Sequence, residues 1–293
     1  MIKKVFNYYK RNGLLNLLKT LFHFFYPQKA NSFAICKNLI FNKSGLEIGG
    51  PSNIFSVKGL LPLYPYVKSL DNCNFSSETI WEGEIKEGCT YKYDSNHAPG
   101  WQFVSEAADL DKISSGRYDF ILSSHVIEHI ANPVKALFEW ERILKDDGIL
   151  IIIFPHKDGT FDHKRKVTSL EHMIDDFNKG TGENDLTHLD EILELHDLSK
   201  DVQAGTPEQF RERSLKNFQN RSLHHHVFNS YSAVKLIDYA GLKIVSVEAA
   251  LPYHIIIIAK KTNENNNSDL FGEIKSDKFK SPFYSDKSTY QTI

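Results

Sequence analysis

Thirteen histidines lie in this 293-residue chain, and most fall between His125 and His226, interleaved with carboxylates. His156 and Asp158 leave the end of an apolar run and are followed by Phe161-Asp162-His163-Lys164-Arg165. An imidazole beside a carboxylate can take up or release a proton near neutral pH. Asp185, His188, Glu191, His196 and Asp197 form a second group, and His224-His225-His226 a third. Imidazole nitrogens are good ligands for Zn or Fe. Three adjacent histidines cannot all face one ion, so at most two of the triplet would act with a distant group. His188 and Glu191, three apart, share one face of a helix. A divalent metal, left open at this level, would draw on His188, Glu191, His224 and His226. Arg165, Arg211, Arg213 and Arg221 lie in the same region and could pair with phosphates. The plain alternatives are hydrogen-bonded structural histidines and a solvated charged helix face around Glu208 to Lys216.

Strands alternating with helices must position these groups. Gly45 to Gly50 reads as a buried strand entering a tight turn, and Tyr66 to Leu70 as a second strand ending at Asp71. Trp81 to Tyr93 reads as a hairpin or loop. Gly100 to Ser105 is a third strand, ending at Glu106, and Tyr118 to Ser123 a fourth. Pro133 to Leu144 is a helix, with Pro in its first turn and Val134, Leu137, Trp140 and Leu144 at helical spacing. Gly148 to Phe154 is continuously apolar, as in a strand covered on both faces. Helices are predicted over Glu171 to Phe177, Leu189 to Leu198 and Ser230 to Ala240, and strands over Ile244 to Val247 and His254 to Ala259. The pattern predicts a three-layer α/β sandwich around a seven-stranded, mostly parallel, Rossmann-like sheet. Residues 157–228 form a helical cap inserted over the carboxyl edge, where such sheets bind ligands. The boundaries expected are 1–43 for an N-terminal helix and linker, 44–261 for the main domain, and 262–293 for a flexible Asn-, Ser- and Lys-rich tail.

The bulk numbers narrow the partners. With 35 basic and 37 acidic residues the formal charge is −2, so nothing global points to nucleic acid. Three unframed cysteines, Cys36, Cys73 and Cys89, suit a reducing compartment, which gives a cytoplasmic expectation. Lysines and arginines interrupt the apolar N-terminus, which excludes a secretory signal. Residues 2–26 read as an amphipathic helix. Packing on the domain, contact with a partner subunit and peripheral attachment to an inner membrane are all open for it.

The turn Leu46-Glu47-Ile48-Gly49-Gly50-Pro51-Ser52 and the two strand-end acids carry the cofactor argument. Glycines let a backbone approach a ligand closely. A carboxylate about twenty residues past such a turn can hold ribose hydroxyls. These residues, with Ser-Ser-His-Val-Ile-Glu-His-Ile and the helix ending Arg142-Ile-Leu-Lys-Asp-Asp-Gly, resemble class I S-adenosylmethionine (SAM)-dependent methyltransferases of the type-11 kind from roughly Gly45 to Lys260. Pro51 replaces the family's usual third small residue. The resemblance implies that Glu47 and Gly49 face the methionine part, Asp71 the ribose and Glu106 the adenine, with Gly50, Ser124 and His125 also at the cofactor. A nicotinamide enzyme would need a fuller GxGxxG turn.

The insertion's wording, Pro-His-Lys-Asp-Gly-Thr-Phe-Asp-His-Lys-Arg and His-His-His-Val-Phe, looks like bacterial methyltransferases of surface-polysaccharide synthesis. It implies O-methylation of a sugar or nucleotide-sugar small molecule in a capsule or lipopolysaccharide pathway. Such an acceptor hydroxyl needs a base. His156 is the first choice, with Asp158 orienting it or binding the hydroxyl, and His188 and His225 follow. The other reading is a non-catalytic SAM-fold module that docks a glycan-assembly complex through the first helix.

Overall fold

The computed structural model describes residues 28–79 and 82–288, so the amphipathic helix expected over residues 2–26 lies outside the described residues. Helix α1 (Phe33–Ile40) leads into β1 (Ser44–Ile48) and then β2 (Ser69–Asn74). A small hairpin, β3 (Glu78–Thr79) and β4 (Gly83–Glu84), precedes β5 (Gly88–Tyr91), β6 (Gly100–Val104) and β7 (Tyr118–Ser124). Helix α2 (Pro133–Ile143) runs directly into β8 (Leu144–Pro155). The cap holds α3 (Leu170–Lys179), α4 (Leu189–Leu195), α5 (Pro207–Leu215) and α6 (Asn217–Asn220). Helix α7 (Ser230–Tyr239), β9 (Lys243–Ala250) and β10 (His254–Lys260) close the sheet, followed by α8 (Ser268–Ile274) and α9 (Tyr284–Ser288).

The main sheet has the order β5-β6-β2-β1-β7-β8-β10-β9. The strands from β6 to β8 are parallel, and β10 is antiparallel to both β8 and β9. The expected mostly parallel α/β sheet is thus borne out with eight strands rather than seven. The extra one is β5, an antiparallel edge strand from the stretch read as hairpin or loop.

Alternation along the isoleucine runs divides the core. Leu150, Ile152, Phe154, Ile255 and Ile257 face α2 and α7 with Val134, Leu137, Trp140 and Leu236. Ile149, Ile151, Ile153, Ile256 and Ile258 face the other side with Cys36, Ile40, Phe55, Leu61 and Tyr64. Burial on both faces explains why these strands are apolar at every position. The second side is covered by α1 and by two 3-10 turns, Asn53–Phe55 and Tyr64–Tyr66, in place of a crossover helix between β1 and β2.

Those turns shift β2. Pro65 lies inside the Tyr64–Tyr66 turn, so the β-rich Tyr66 and Val67 are not in the strand, which runs from Ser69 to Asn74. Asp71 therefore sits mid-strand, paired with Leu46, and Asn74 takes the carboxyl end.

The tail departs from expectation. Residues 262–288 include two helices, with Ile274, Ser281, Phe283 and Asp286 buried. Hydrophobic anchors spaced among polar residues order the segment despite its composition. The cap has its own small core of Ile192, Ala204, Phe210 and Leu223. No described helix is long and apolar enough to cross a membrane.

Candidate active site

The carboxyl ends of β1, β2, β6 and β7 open into one cleft of about 900 Å³. Gly49 bends the chain away from β1 at φ +77°, and a Cβ there would lie 2.5 Å from Val126 Cγ2. Only glycine allows this approach of the turn to the segment after β7. Cys73, Asn74 and Phe75 border the cleft beyond β2, Ser105, Glu106 and Ala107 beyond β6, and Ser124, His125 and Val126 beyond β7. Of the cofactor residues expected from sequence, Gly49, Glu106, Ser124 and His125 line this cleft.

Glu47, Gly50 and Asp71 are placed differently. Glu47 is fully buried behind the turn and accepts from Tyr64 Oη, from Tyr91 Oη and from the Ser52 amide. Burial pushes its carboxyl above the ordinary range, against the pull of those donors. Gly50 stands beside it, donating to Asn72 Oδ1 at 3.0 Å and accepting from Asn74 Nδ2 at 3.1 Å. Asp71 accepts from the Trp101 amide at 2.8 Å, Tyr118 Oη at 2.7 Å and Arg117 Nη2 at 3.1 Å. Its position three residues before the strand end removes it from the cleft, and Asn74 occupies the place expected of it.

None of the four residues expected to be catalytic lines the cleft. His156 is wholly buried, with Nε2 3.1 Å from Asp286 Oδ1 and its ring stacked 3.9 Å from that of Phe283. Asp158 Oδ2 accepts from the Ser285 amide at 2.8 Å. Both residues fasten the C-terminal segment. His225 is buried against Asn217 Nδ2 at 3.1 Å, and burial lowers its pKa to about 4. His188 Nε2 meets His172 Nε2 at 3.0 Å in the cap. The arginines scatter likewise. Arg165 is buried against Asp162 and the His224 and His225 carbonyls, Arg213 binds Asp201, and Arg221 alone of the four borders the cleft, where it pairs with Glu106.

The cleft has an acid–base group of its own. Glu128 and His129 lie on the 3-10 turn Ile127–His129 after β7, and His224 reaches them from the segment before α7. One ligating atom from each of the three lies within 4.8 Å of the others. The His129 and His224 rings meet edge to face at 4.6 Å. His224 Nδ1 is hydrogen-bonded to Asp162 Oδ2, which Arg165 holds from behind at 3.0 Å through Oδ1. Glu128 is 1% exposed, and its Oε2 has no hydrogen-bond partner. Burial pushes its carboxyl up to about 7, with the charge of His224 pulling the other way. Burial also disfavours a charged His224, yet the Asp162 carboxylate, its hydrogen bond and Glu128 together raise the imidazole above its usual value. An ionised base and a charged neighbour can therefore coexist near pH 7.

Glu128 and His129 lie in the Ser-Ser-His-Val-Ile-Glu-His run. Their spacing of three and four from His125 was the available signal.

Residues 81–152 match the family model of a methyltransferase domain. The match spans β6 and β7, whose ends make one side of the cleft. Among solved structures, a SAM-dependent methyltransferase from Aquifex aeolicus aligns at 14% identity over 79% of this chain and 90% of its own, with a TM-score of 0.38. A SAM-dependent methyltransferase from Methanosarcina mazei aligns at 16% identity over 78% of this chain and 98% of its own, with a TM-score of 0.43. No curated protein matches the chain. The expectation of a methyltransferase domain is borne out over residues 81–152 by that match.

Proposed function

We propose that this SAM-dependent methyltransferase methylates a hydroxyl of a sugar or nucleotide-sugar, with Glu128 as the base. When bound, SAM supplies an electrophilic methyl group on a sulfonium. The cleft fits it: Gly49 gives the close backbone approach, and Asn74 and Glu106 offer polar groups at adjacent strand ends. Asn74 takes the ribose role in this reading, and Glu106 the adenine amino group.

The observation that carries the acceptor chemistry is the buried, unpartnered Glu128 Oε2 on the cleft wall. A thiol or an unprotonated amine can attack a sulfonium methyl without strong base assistance, whereas a hydroxyl must lose its proton as the bond forms. Glu128 receives that proton. His224, oriented by Asp162, holds the carboxylate ionised and shares the charge change. Lys58, Glu82, Glu183, Lys200 and Arg221 give the cleft a polar rim suited to an acceptor rich in hydroxyls or bearing phosphate. The motif likeness to surface-polysaccharide methyltransferases supports the same acceptor class.

The test is methyl transfer from SAM labelled in its methyl group to a panel of free sugars, nucleotide-sugars, amines and thiols. Label in an alkali-stable ether on a sugar is the expected product. Label confined to amines or thiols would overturn the reading.

The cofactor half has its own check by calorimetry. Asn74→Ala is expected to weaken SAM binding about tenfold, the size of one or two lost hydrogen bonds. Asp71→Ala should leave SAM affinity within about twofold, because the contacts it loses, to Tyr118 and Arg117, lie outside the cleft. The reverse order of effects would restore Asp71 to the ribose.

A further inference from the structure

A second cluster lies in the cap, away from the cleft. His172 and Asp176 stand one turn apart on the same face of α3, His188 immediately precedes α4, and His226 precedes α7. His172 Nε2 is 3.0 Å from His188 Nε2 and 3.3 Å from Asp176 Oδ2. One ligating atom from each of His172, Asp176 and His226 lies within 4.8 Å of the others.

Protons alone satisfy this group poorly. Two imidazole nitrogens 3.0 Å apart need one proton between them. A proton on His172 Nε2 cannot serve both His188 and Asp176 well. Two further atoms are left over: His226 Nδ1 and Asp176 Oδ2 are buried without a hydrogen-bond partner, on residues 1% and 8% exposed. The remaining atom of each is already engaged. His226 Nε2 lies 3.3 Å from the Ala131 carbonyl, which fixes the N–H there and leaves the Nδ1 lone pair toward the cluster. Asp176 Oδ1 accepts from Thr181 Oγ1 at 3.1 Å. Such outer hydrogen bonds orient metal-binding imidazoles and carboxylates.

We propose that His172, Asp176 and His226 bind a zinc ion, with His188, whose Nε2 is 3.0 Å from His172 Nε2, closing in as the fourth ligand. Three imidazoles and a carboxylate suit that borderline ion, and ligands about 2.0–2.1 Å from a tetrahedral centre stand roughly 3.3 Å from one another. The 3.0 and 3.3 Å separations of His172 from His188 and Asp176 are close to that spacing, and His226 lies within 4.8 Å of His172 and Asp176. Four protein ligands leave no open position, so the site is structural. It joins α3, the entry to α4 and the segment before α7 that carries His224. The His226 amide also donates to the Glu128 carbonyl at 3.3 Å, which connects this site to the cleft wall. Of the residues expected as ligands from sequence, His188 and His226 belong here. Glu191 stands 3.9 Å behind His188 Nδ1, and His224 belongs to the cleft.

The proposal does not depend on the methyl-acceptor reading. Tag-free full-length protein is equilibrated with zinc, dialysed and analysed by plasma mass spectrometry, and a cobalt-loaded sample is examined for the intense visible absorption of a four-coordinate ion. About one zinc per chain is expected, together with that absorption. His172→Ala, on a half-exposed residue, and the near-isosteric Asp176→Asn should each lower zinc occupancy about tenfold or more. Glu128→Gln should retain it. Zinc well below one-tenth of an equivalent in the parent protein would overturn the proposal. So would zinc kept by a folded His172→Ala but lost by Glu128→Gln, which would place the ion in the cleft.

Discussion

Replacing Glu128 by Gln is expected to lower turnover by about 10²–10⁴-fold, the usual range for a lost general base, with SAM affinity nearly unchanged. The side chain keeps its size and burial but can no longer take a proton. Its effect should fall on kcat more than on KM, because proton removal belongs to the transition state. The pH profile supplies a second readout. Burial raises the Glu128 pKa to about 7, so the active carboxylate form is lost as pH falls through that value. In the parent protein kcat/KM should fall roughly tenfold per pH unit on the acid side of about 7. The residual rate of the Gln variant should lack that limb. A variant with parental turnover, or with the acid limb intact, would remove Glu128 from the mechanism.

Asp162 acts on Glu128 through His224. Asp162→Asn keeps the shape but takes away the negative charge that raises His224. A neutral His224 no longer helps to hold the Glu128 carboxylate ionised, and this loss outweighs the relief from Asp162's own weaker repulsion of Glu128, so the acid limb should move to higher pH. Movement to lower pH would contradict the arrangement of charges inferred for the cleft.

The strand-end wall of the cleft was partly legible in the sequence, and the Glu128–His224 wall was not. Gly49, Glu106, Ser124 and His125 were found because they mark strand ends, and strand ends follow from local patterns. Even there, β-rich Tyr66 and Val67 suggested a strand where Pro65 makes a 3-10 turn. The strand end moved from Asp71 to Asn74 with it. His156 and Asp158 were correctly placed just past β8, but sequence spacing does not say which way a side chain leaves the sheet. What holds His156 away from the cleft is Asp286, 130 positions further on, and the neighbouring Ser285 amide holds Asp158. The long apolar strands β8 and β10 were secure because burial on both faces writes an unbroken run. The tail was misread because composition averages over the few residues, Ile274, Phe283 and Asp286 among them, that anchor it.

Replacing Asp286 by Ala is expected to destabilise the fold by about 3–5 kcal/mol, as for a buried carboxylate whose several hydrogen-bond donors are left unpaired. The carboxylate has several partners at once. It meets His156 Nε2 at 3.1 Å and accepts from the Ser230 amide at 3.0 Å, Ser230 Oγ at 2.7 Å and Ser281 Oγ at 2.6 Å. Ser230 is the first residue of α7, so Asp286 adds charge where that helix has unpaired amides and a positive dipole end. Removing it leaves a fully buried imidazole and two buried hydroxyls without this partner. At roughly 2–4 °C per kcal/mol for a chain of this size, Tm should fall by about 10 °C. Asp286→Asn keeps one acceptor oxygen and should cost less. The consequence reaches the cleft through a short path. His156 and Asp158 hold the tail, and the next residues, Gly159, Thr160 and Phe161, line the cleft beside His224. The Ala variant should therefore raise KM for the acceptor at temperatures where it is still folded, while SAM binding at Gly49 and Asn74 persists. An unchanged Tm would mean that the C-terminal segment is not docked in solution as the geometry of His156, Phe283 and Asp286 requires.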